Sequence, residues 1–160
     1  MQSFLKYWLP LFIWLGVIFV GSTDIMSAEQ TSRFVVPFLR WLKPDISIET
    51  VVFIHFLIRK LGHLTEYAIL AMLLWRGVYR GTNLQMKMSI LFLLAWLAAA
   101  LFAVTDEFHQ SFVPSRTASA IDVMIDICGA MIGLIICMVF AAQGRSGPLN
   151  QETRKPQKER

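Results

Sequence analysis

Four long runs of apolar residues alternate along this chain with shorter polar stretches. The runs cover residues 4–21, 61–78, 88–104 and 120–142. Each approaches the roughly 20 residues that an α-helix needs to cross a hydrocarbon core of about 30 Å. Backbone polar groups at that depth must be satisfied within the segment, so each run predicts a helix. The pattern therefore predicts an all-α membrane bundle of four transmembrane helices.

Composition and charge agree with this class. Apolar residues make up 56% of the 160 residues and charged residues 16%, whereas soluble domains average about 45–50% apolar. We expect one transmembrane domain, residues 1–142, followed by a basic, disordered cytoplasmic tail, residues 143–160. Aromatic residues do not interleave the charges of the tail, so we expect no nucleic-acid partner.

Lysine and arginine placement predicts the orientation of the bundle. With both ends inside, nine of these residues lie on the cytoplasmic side and six outside, which satisfies the positive-inside rule. The first run is longer than the apolar core of a signal peptide, and Met26-Ser-Ala28 is a poor cleavage site, so we expect it to remain as a span. The predicted location is the cell membrane, with several passes.

The stretch from about residue 23 to residue 60 lies outside the predicted spans. We expect Pro37 and Pro44 to break it. Residues 46–58 are apolar but short for a crossing, which favours an interfacial or re-entrant helix between the first two spans. The alternative is a helix that runs straight into the second span, hinged at Gly62.

Polar residues cluster at the start of the second run. His63, Glu66 and Tyr67 are spaced i, i+3 and i+4, so they share a helix face. Arg59 and Lys60 precede them and are typical of interfacial anchors. An ionised group at membrane depth costs about 2.5–3.5 kcal/mol on insertion scales. Glu66 therefore needs either an ion-pair partner or a function.

A second cluster ends the third run, where acids oppose the helix dipole. It consists of Asp106, Glu107, His109 and Gln110, and Arg116 follows in the loop. Acids placed against the local electrostatic preference indicate that something outside the helix requires them.

A third cluster opens the fourth run. Ser119 is a natural N-cap, and Asp122 at the third helical position would complete a capping box. Asp126 lies one turn deeper, where capping cannot explain it. Gly129 and Gly133 continue the same helix face as a G-x-x-x-G motif, which lets a neighbouring helix approach closely.

Under the predicted orientation the three clusters reach the same outer leaflet. Lys60 and Arg116 are the candidates for contact with a phosphate or other anionic headgroup. The complete candidate polar site is His63, Glu66, Tyr67, Asp106, Glu107, His109, Gln110, Arg116, Asp122 and Asp126.

These residues resemble the VanZ-like family of bacterial integral membrane proteins. The specific part is Asp106-Glu-Phe-His-Gln-Ser-Phe-Val-Pro-Ser-Arg116, although Ser115 stands where many members have Gly. Similar pieces are Lys60-Leu-Gly-His63 with Glu66-Tyr67, Asp122–Asp126, Gly129–Gly133 and Trp14–Ser22. The resemblance implies a multi-span protein of the cell envelope. The family takes its name from a factor for resistance to teicoplanin, a glycopeptide directed at the lipid-linked cell-wall precursor.

Three functions follow as alternatives. The first is a non-catalytic envelope protein that binds a membrane lipid, a lipid-linked cell-wall precursor or another anionic headgroup, with a link to glycopeptide resistance. The second is an intramembrane enzyme acting on a lipid phosphate, with histidine as acid or base. The third is a small proton-coupled transporter, which would require a homo-oligomer. A closed ligand signature such as H-E-x-x-H does not occur, so we expect no metal and no cofactor.

Overall fold

The computed structural model describes residues 2–82, 84 and 86–145, and over these residues the protein is all-α. The predicted tail, residues 143–160, lies outside the described residues from position 146 onward. The helices are α1 (Gln2–Gly21), α2 (Ala28–Leu42), α3 (Ile48–Gly81), α4 (Met88–Gln110) and α5 (Ala120–Arg145), with one 3-10 turn at Asp24–Met26.

Three of these helices are long and apolar enough to cross a membrane. The stretches are Phe4–Gly21, Met88–Gln110 and Ala120–Gln143, which confirms the helical class and three helices of spanning length. The remaining predicted span, residues 61–78, lies within α3. It carries His63, Glu66 and Arg76, which lower its mean hydropathy, and α3 is not among the three.

α3 is the central helix of the bundle. It packs against α1, α4 and α5, while α4 also packs against α5. One apolar core lies between α3, α4 and α5, around Trp75, Leu91 and Leu134. A second core joins α1 to α3 and α4 around Leu11 and Tyr67.

Two glycines bring α5 against the backbone of α3. A Cβ placed on Gly129 would clash with the carbonyl oxygen of Leu64, and its carbonyl carbon would lie 2.9 Å away. A Cβ on Gly133 would meet Ala68 in the same way, with the carbonyl carbon also at 2.9 Å. Only a residue without a side chain permits this approach, which places polar groups of the two helices within hydrogen-bond reach of one another.

The stretch between α1 and α3 corrects two expectations. Pro37 does not break the chain but lies inside α2, a surface helix where water can hydrate the carbonyl that proline leaves unpaired. Residues 48–58 do not form a separate interfacial helix. They run straight into the second predicted span, as the alternative reading expected, and Gly62 lies inside this continuous helix. The features of an interfacial helix belong to α2 instead, since Phe34 and Trp41 on its apolar stripe are 79% and 78% exposed.

Candidate functional site at the polar end of the bundle

The candidate residues gather at one end of the bundle, which we call the polar end. Here α1 and α4 finish, α5 begins, and α3 passes through on its way to the opposite end. Contacts between α3 and α5, between α4 and the start of α5, and between α1 and the loop before α5 hold this end together.

Two aspartates of α5 are paired with basic groups of α3. Asp126 is fully buried, and its Oδ1 lies 3.1 Å from Nδ1 of His63. Asp122 is 1% exposed and forms ion pairs with Lys60 and, at 3.4 Å, with Nη2 of Arg59. Arg59 and Lys60, expected to be interfacial anchors, thus neutralise a buried acid in an adjacent helix.

The predicted capping box at the start of α5 is replaced by a contact from α4. The Ser119 hydroxyl accepts a hydrogen bond from the Ile121 N–H at 3.2 Å, as expected of an N-cap. The backbone N–H of Ser119, however, donates to Oε1 of Glu107. Glu107 therefore takes the place that the sequence suggested for Asp122, which leaves Asp122 available for Lys60. The contact with Ser119 explains why an acid, Glu107, lies at the end of α4 against the preference of the helix dipole.

Arg116 caps the end of α1. Its Nε donates to the Thr23 carbonyl at 3.1 Å, and its Nη2 donates to the Gly21 carbonyl. Burial lowers the pKa of the Arg116 guanidinium below its usual value, and the nearby charge of Arg59 lowers it further. An arginine remains charged in a protein, so this position holds a partly desolvated cation.

α1 and α4 are joined at the polar end by His109. Its Nδ1 lies 3.2 Å from the Ser22 hydroxyl, and its ring lies 5.1 Å from that of Phe19, centroid to centroid. On the same helix, Gln110 donates to Asp106 Oδ2 at 3.0 Å. Ser22 is 1% exposed, and sequence reasoning missed its role. The available signal was a serine at the end of an otherwise apolar run.

Glu66 lies between these groups. Its backbone carbonyl accepts a hydrogen bond from Nε1 of Trp14 at 2.9 Å, which fastens α1 to α3. Its carboxylate faces the end of α1 beside Gly21. The charges that act on this carboxylate include those of His63, Asp106, Asp126 and Arg116.

A cavity of about 260 Å³ opens between α1, α3 and α4 just below the His109 contact. Tyr67 lies in its wall, is completely buried, and its hydroxyl has no hydrogen-bond partner among the described residues. The described residues contain no group of three or more His, Cys, Asp or Glu side chains that could hold a metal ion. The lining combines apolar and polar side chains: Leu15, Ile18, Phe19, Tyr67, Phe102, Thr105, Asp106 and His109.

Helices of spanning length with buried charges at one end define a small helical membrane protein. More specifically, the chain belongs to the VanZ/LLP1 family, whose model matches residues 7–141 and so includes every candidate site residue. The resemblance seen in the sequence is confirmed. Comparisons with curated proteins and with solved structures gave no match.

Proposed function

We propose that this protein crosses the cell membrane four times with both termini in the cytoplasm, and that its polar end binds the headgroup of a lipid-linked or other anionic amphiphile at the outer face. Membership of the VanZ/LLP1 family supports a membrane role. The cavity beside Tyr67, whose lining combines apolar side chains with Thr105, Asp106 and His109, is the observation that carries the binding proposal.

The distribution of basic groups supports the proposed orientation. At the end opposite the polar end, Nη2 of Arg76 donates to the Lys6 carbonyl at 3.1 Å, and both cationic groups lie over the ring of Tyr7. Lysine and arginine are enriched on the cytoplasmic side of membrane proteins, whereas tyrosine is enriched at both interfaces. The length of α3 supports the proposed fourth crossing. With 34 residues, α3 is about 51 Å long at 1.5 Å per residue, which exceeds the thickness of the hydrocarbon core.

All three cations of the polar end already have partners in the protein, so the headgroup contact is chosen by exposure. Arg116 and Lys60, the predicted phosphate contacts, already hold carbonyls of α1 and the Asp122 carboxylate. Arg59 also contacts the Asp122 carboxylate and the Thr117 carbonyl, both at 3.4 Å. Its side chain is nevertheless 27% exposed, against 17% for Lys60, and it lies near enough to Arg116 to lower the pKa of that guanidinium. Like charges held close together favour an anion beside them. We therefore propose Arg59 as the first phosphate contact, with Lys60 and Arg116 sharing their bonds.

The physiological ligand we propose is an undecaprenyl-linked cell-wall precursor, with altered glycopeptide susceptibility as the consequence. The test is binding of undecaprenyl diphosphate to the purified protein in lipid nanodiscs, together with teicoplanin susceptibility of cells with and without the protein. Arg59→Gln should weaken binding by about tenfold, as expected for the loss of a charge-assisted hydrogen bond worth about 1.4 kcal/mol. Arg40→Gln removes a cation of α2 and serves as the matched control.

Three outcomes separate the alternatives. Binding that falls in Arg59→Gln and persists in Arg40→Gln supports the proposal. Chemical conversion of the diphosphate by purified protein, with unchanged susceptibility, would favour the enzyme. Equal binding by the wild type and both variants would overturn the headgroup assignment.

A further inference from the structure

We infer that the seam between α1 and α4 is a lateral entrance, through which the alkyl or prenyl chain of a membrane amphiphile reaches the cavity beside Tyr67. This inference rests on the proposed headgroup binding and specifies how the same ligand is held. It concerns the alkyl or prenyl chain of the ligand, whereas the proposed function concerns the headgroup of the ligand.

The arrangement of the helices leaves this seam open. α1 packs mainly on α3, and α4 packs on α3 and α5, so the contacts between α1 and α4 are few. Both helices have the length and apolar composition of membrane spans. A gap between two such helices faces lipid, and the molecule best placed to enter it is one already dissolved in the bilayer.

The cavity is closed on the side that faces the polar end. His109 of α4 contacts Phe19 of α1 and Ser22, the residue that follows α1, so the two helices meet at that level. Below this contact the cavity extends along the apolar surface of Leu15 and Ile18. Phe19 and Phe102, which flank the seam, are 58% and 38% exposed. The opening therefore lies on the side of the bundle, not on its end.

The size of the cavity indicates that only part of a ligand enters. Pockets that enclose whole drug-sized ligands measure about 300–1,000 Å³, and this cavity is about 260 Å³. An amphiphile can place the atoms next to its head here while the rest of its chain stays in the bilayer.

Tyr67 indicates the chemistry of those atoms. Tyr67 lines the cavity, and its hydroxyl is buried without a partner among the described residues. A bound hydrogen-bond acceptor that reached this hydroxyl would relieve the unfavourable state. Thr105 and Asp106 lie in the same wall. The ligand class is an apolar chain that begins at an oxygen-bearing head, such as an ester or a phosphate ester.

The experiment uses the full-length protein in nanodiscs that contain a phospholipid with a diazirine on its acyl chain. Photolysis should label residues of the seam, which include Leu15 and Phe102. Thr105→Trp should fill the cavity and reduce that labelling at least fivefold. Val104→Trp places the same side chain on α4 at the same depth but away from the cavity wall, so it should leave the labelling unchanged. Uniform labelling of all lipid-facing helices, unaffected by Thr105→Trp, would overturn the inference.

A second variant tests the hydrogen bond. Tyr67→Phe keeps the shape of the wall and should weaken binding of undecaprenyl diphosphate by about two- to tenfold, the range for one hydrogen bond. Its thermal stability without ligand should be unchanged or raised, because an unpartnered buried hydroxyl is removed.

The two proposals fail differently. If Thr105→Trp abolishes chain labelling but leaves diphosphate binding intact, the chain enters the seam and the head binds independently of it, so the coupling inferred here is wrong. If the wild type shows seam labelling but does not bind the diphosphate, the lateral entrance stands and the proposed headgroup is wrong.

Discussion

Each buried carboxylate at the polar end has its own partner, although the sequence shows only a row of acids. Asp126 faces His63, Asp122 faces Lys60, and Glu107 accepts from the backbone of Ser119. A buried charge is costly unless it is paired and hydrogen-bonded. These contacts link α3, α4 and α5. At the scale of single residues, the charged groups therefore have a structural role, which is to hold the helices of the site together.

Glu107 provides a test of this structural role. Glu107→Ala should lower the free energy of unfolding by about 0.5–2 kcal/mol, the usual cost of losing an N-terminal cap. Glu107→Gln keeps an oxygen acceptor for the Ser119 N–H and should retain most of the stability. Thermal unfolding in detergent measures both. A lower midpoint in Glu107→Gln equal to that of Glu107→Ala would show that charge, and not the cap, is what matters.

At the scale of elements, α3 and α5 form the tightest pair in the bundle. Gly129 and Gly133 lie against the backbone of Leu64 and Ala68, and the ion pairs of Asp122 and Asp126 continue the same interface. The acidic stripe and the glycine stripe on α5 thus serve one purpose, since close backbone approach brings short aspartate side chains to the basic groups of α3.

Alanine at either glycine should force these helices apart. We expect Gly129→Ala and Gly133→Ala each to lower the free energy of unfolding by about 1–3 kcal/mol through overpacking. The control is Gly62→Ala, because a Cβ at Gly62 would meet nothing within 4 Å. That substitution should be neutral or stabilise α3 by up to about 1 kcal/mol, since alanine is the better helix former. Equal effects at positions 62 and 129 would contradict the packing described here.

α2 gives a second test at this scale. Phe34, Phe38 and Trp41 form an exposed apolar stripe, and Arg40 projects away from it, a combination typical of helices that lie at a membrane surface. A nitroxide label at position 38 should be relaxed by dissolved oxygen, and one at position 40 by a water-soluble nickel complex. Power-saturation measurements in nanodiscs compare the two sites. The same solvent preference at both would exclude an interfacial position for α2.

At the scale of the whole molecule, the polar end can be assigned to one side of the membrane by labelling. In the proposed orientation, cysteine introduced at Asp24 or Ser115 should react with an impermeant maleimide in intact cells. Cysteine at Thr82, in the loop between α3 and α4, should react only after the cells are permeabilised. Labelling of Thr82→Cys in intact cells, with protection of the other two positions, would reverse the orientation and move the headgroup site to the cytoplasm.

The sequence by itself determined the helical class, three helices of spanning length and the family, because apolar length and an unusual run of polar residues are local properties. It also grouped the residues that meet at the polar end. Only the tertiary structure decided their partners: Glu107 capping α5 in place of Asp122, Arg116 holding the end of α1, and Ser22 contacting His109. It also extended α3 through residues 48–58 and moved the amphipathic segment to α2. Partner choice depends on distances between helices far apart in the chain, and helical periodicity orders side chains around one helix without fixing what lies opposite.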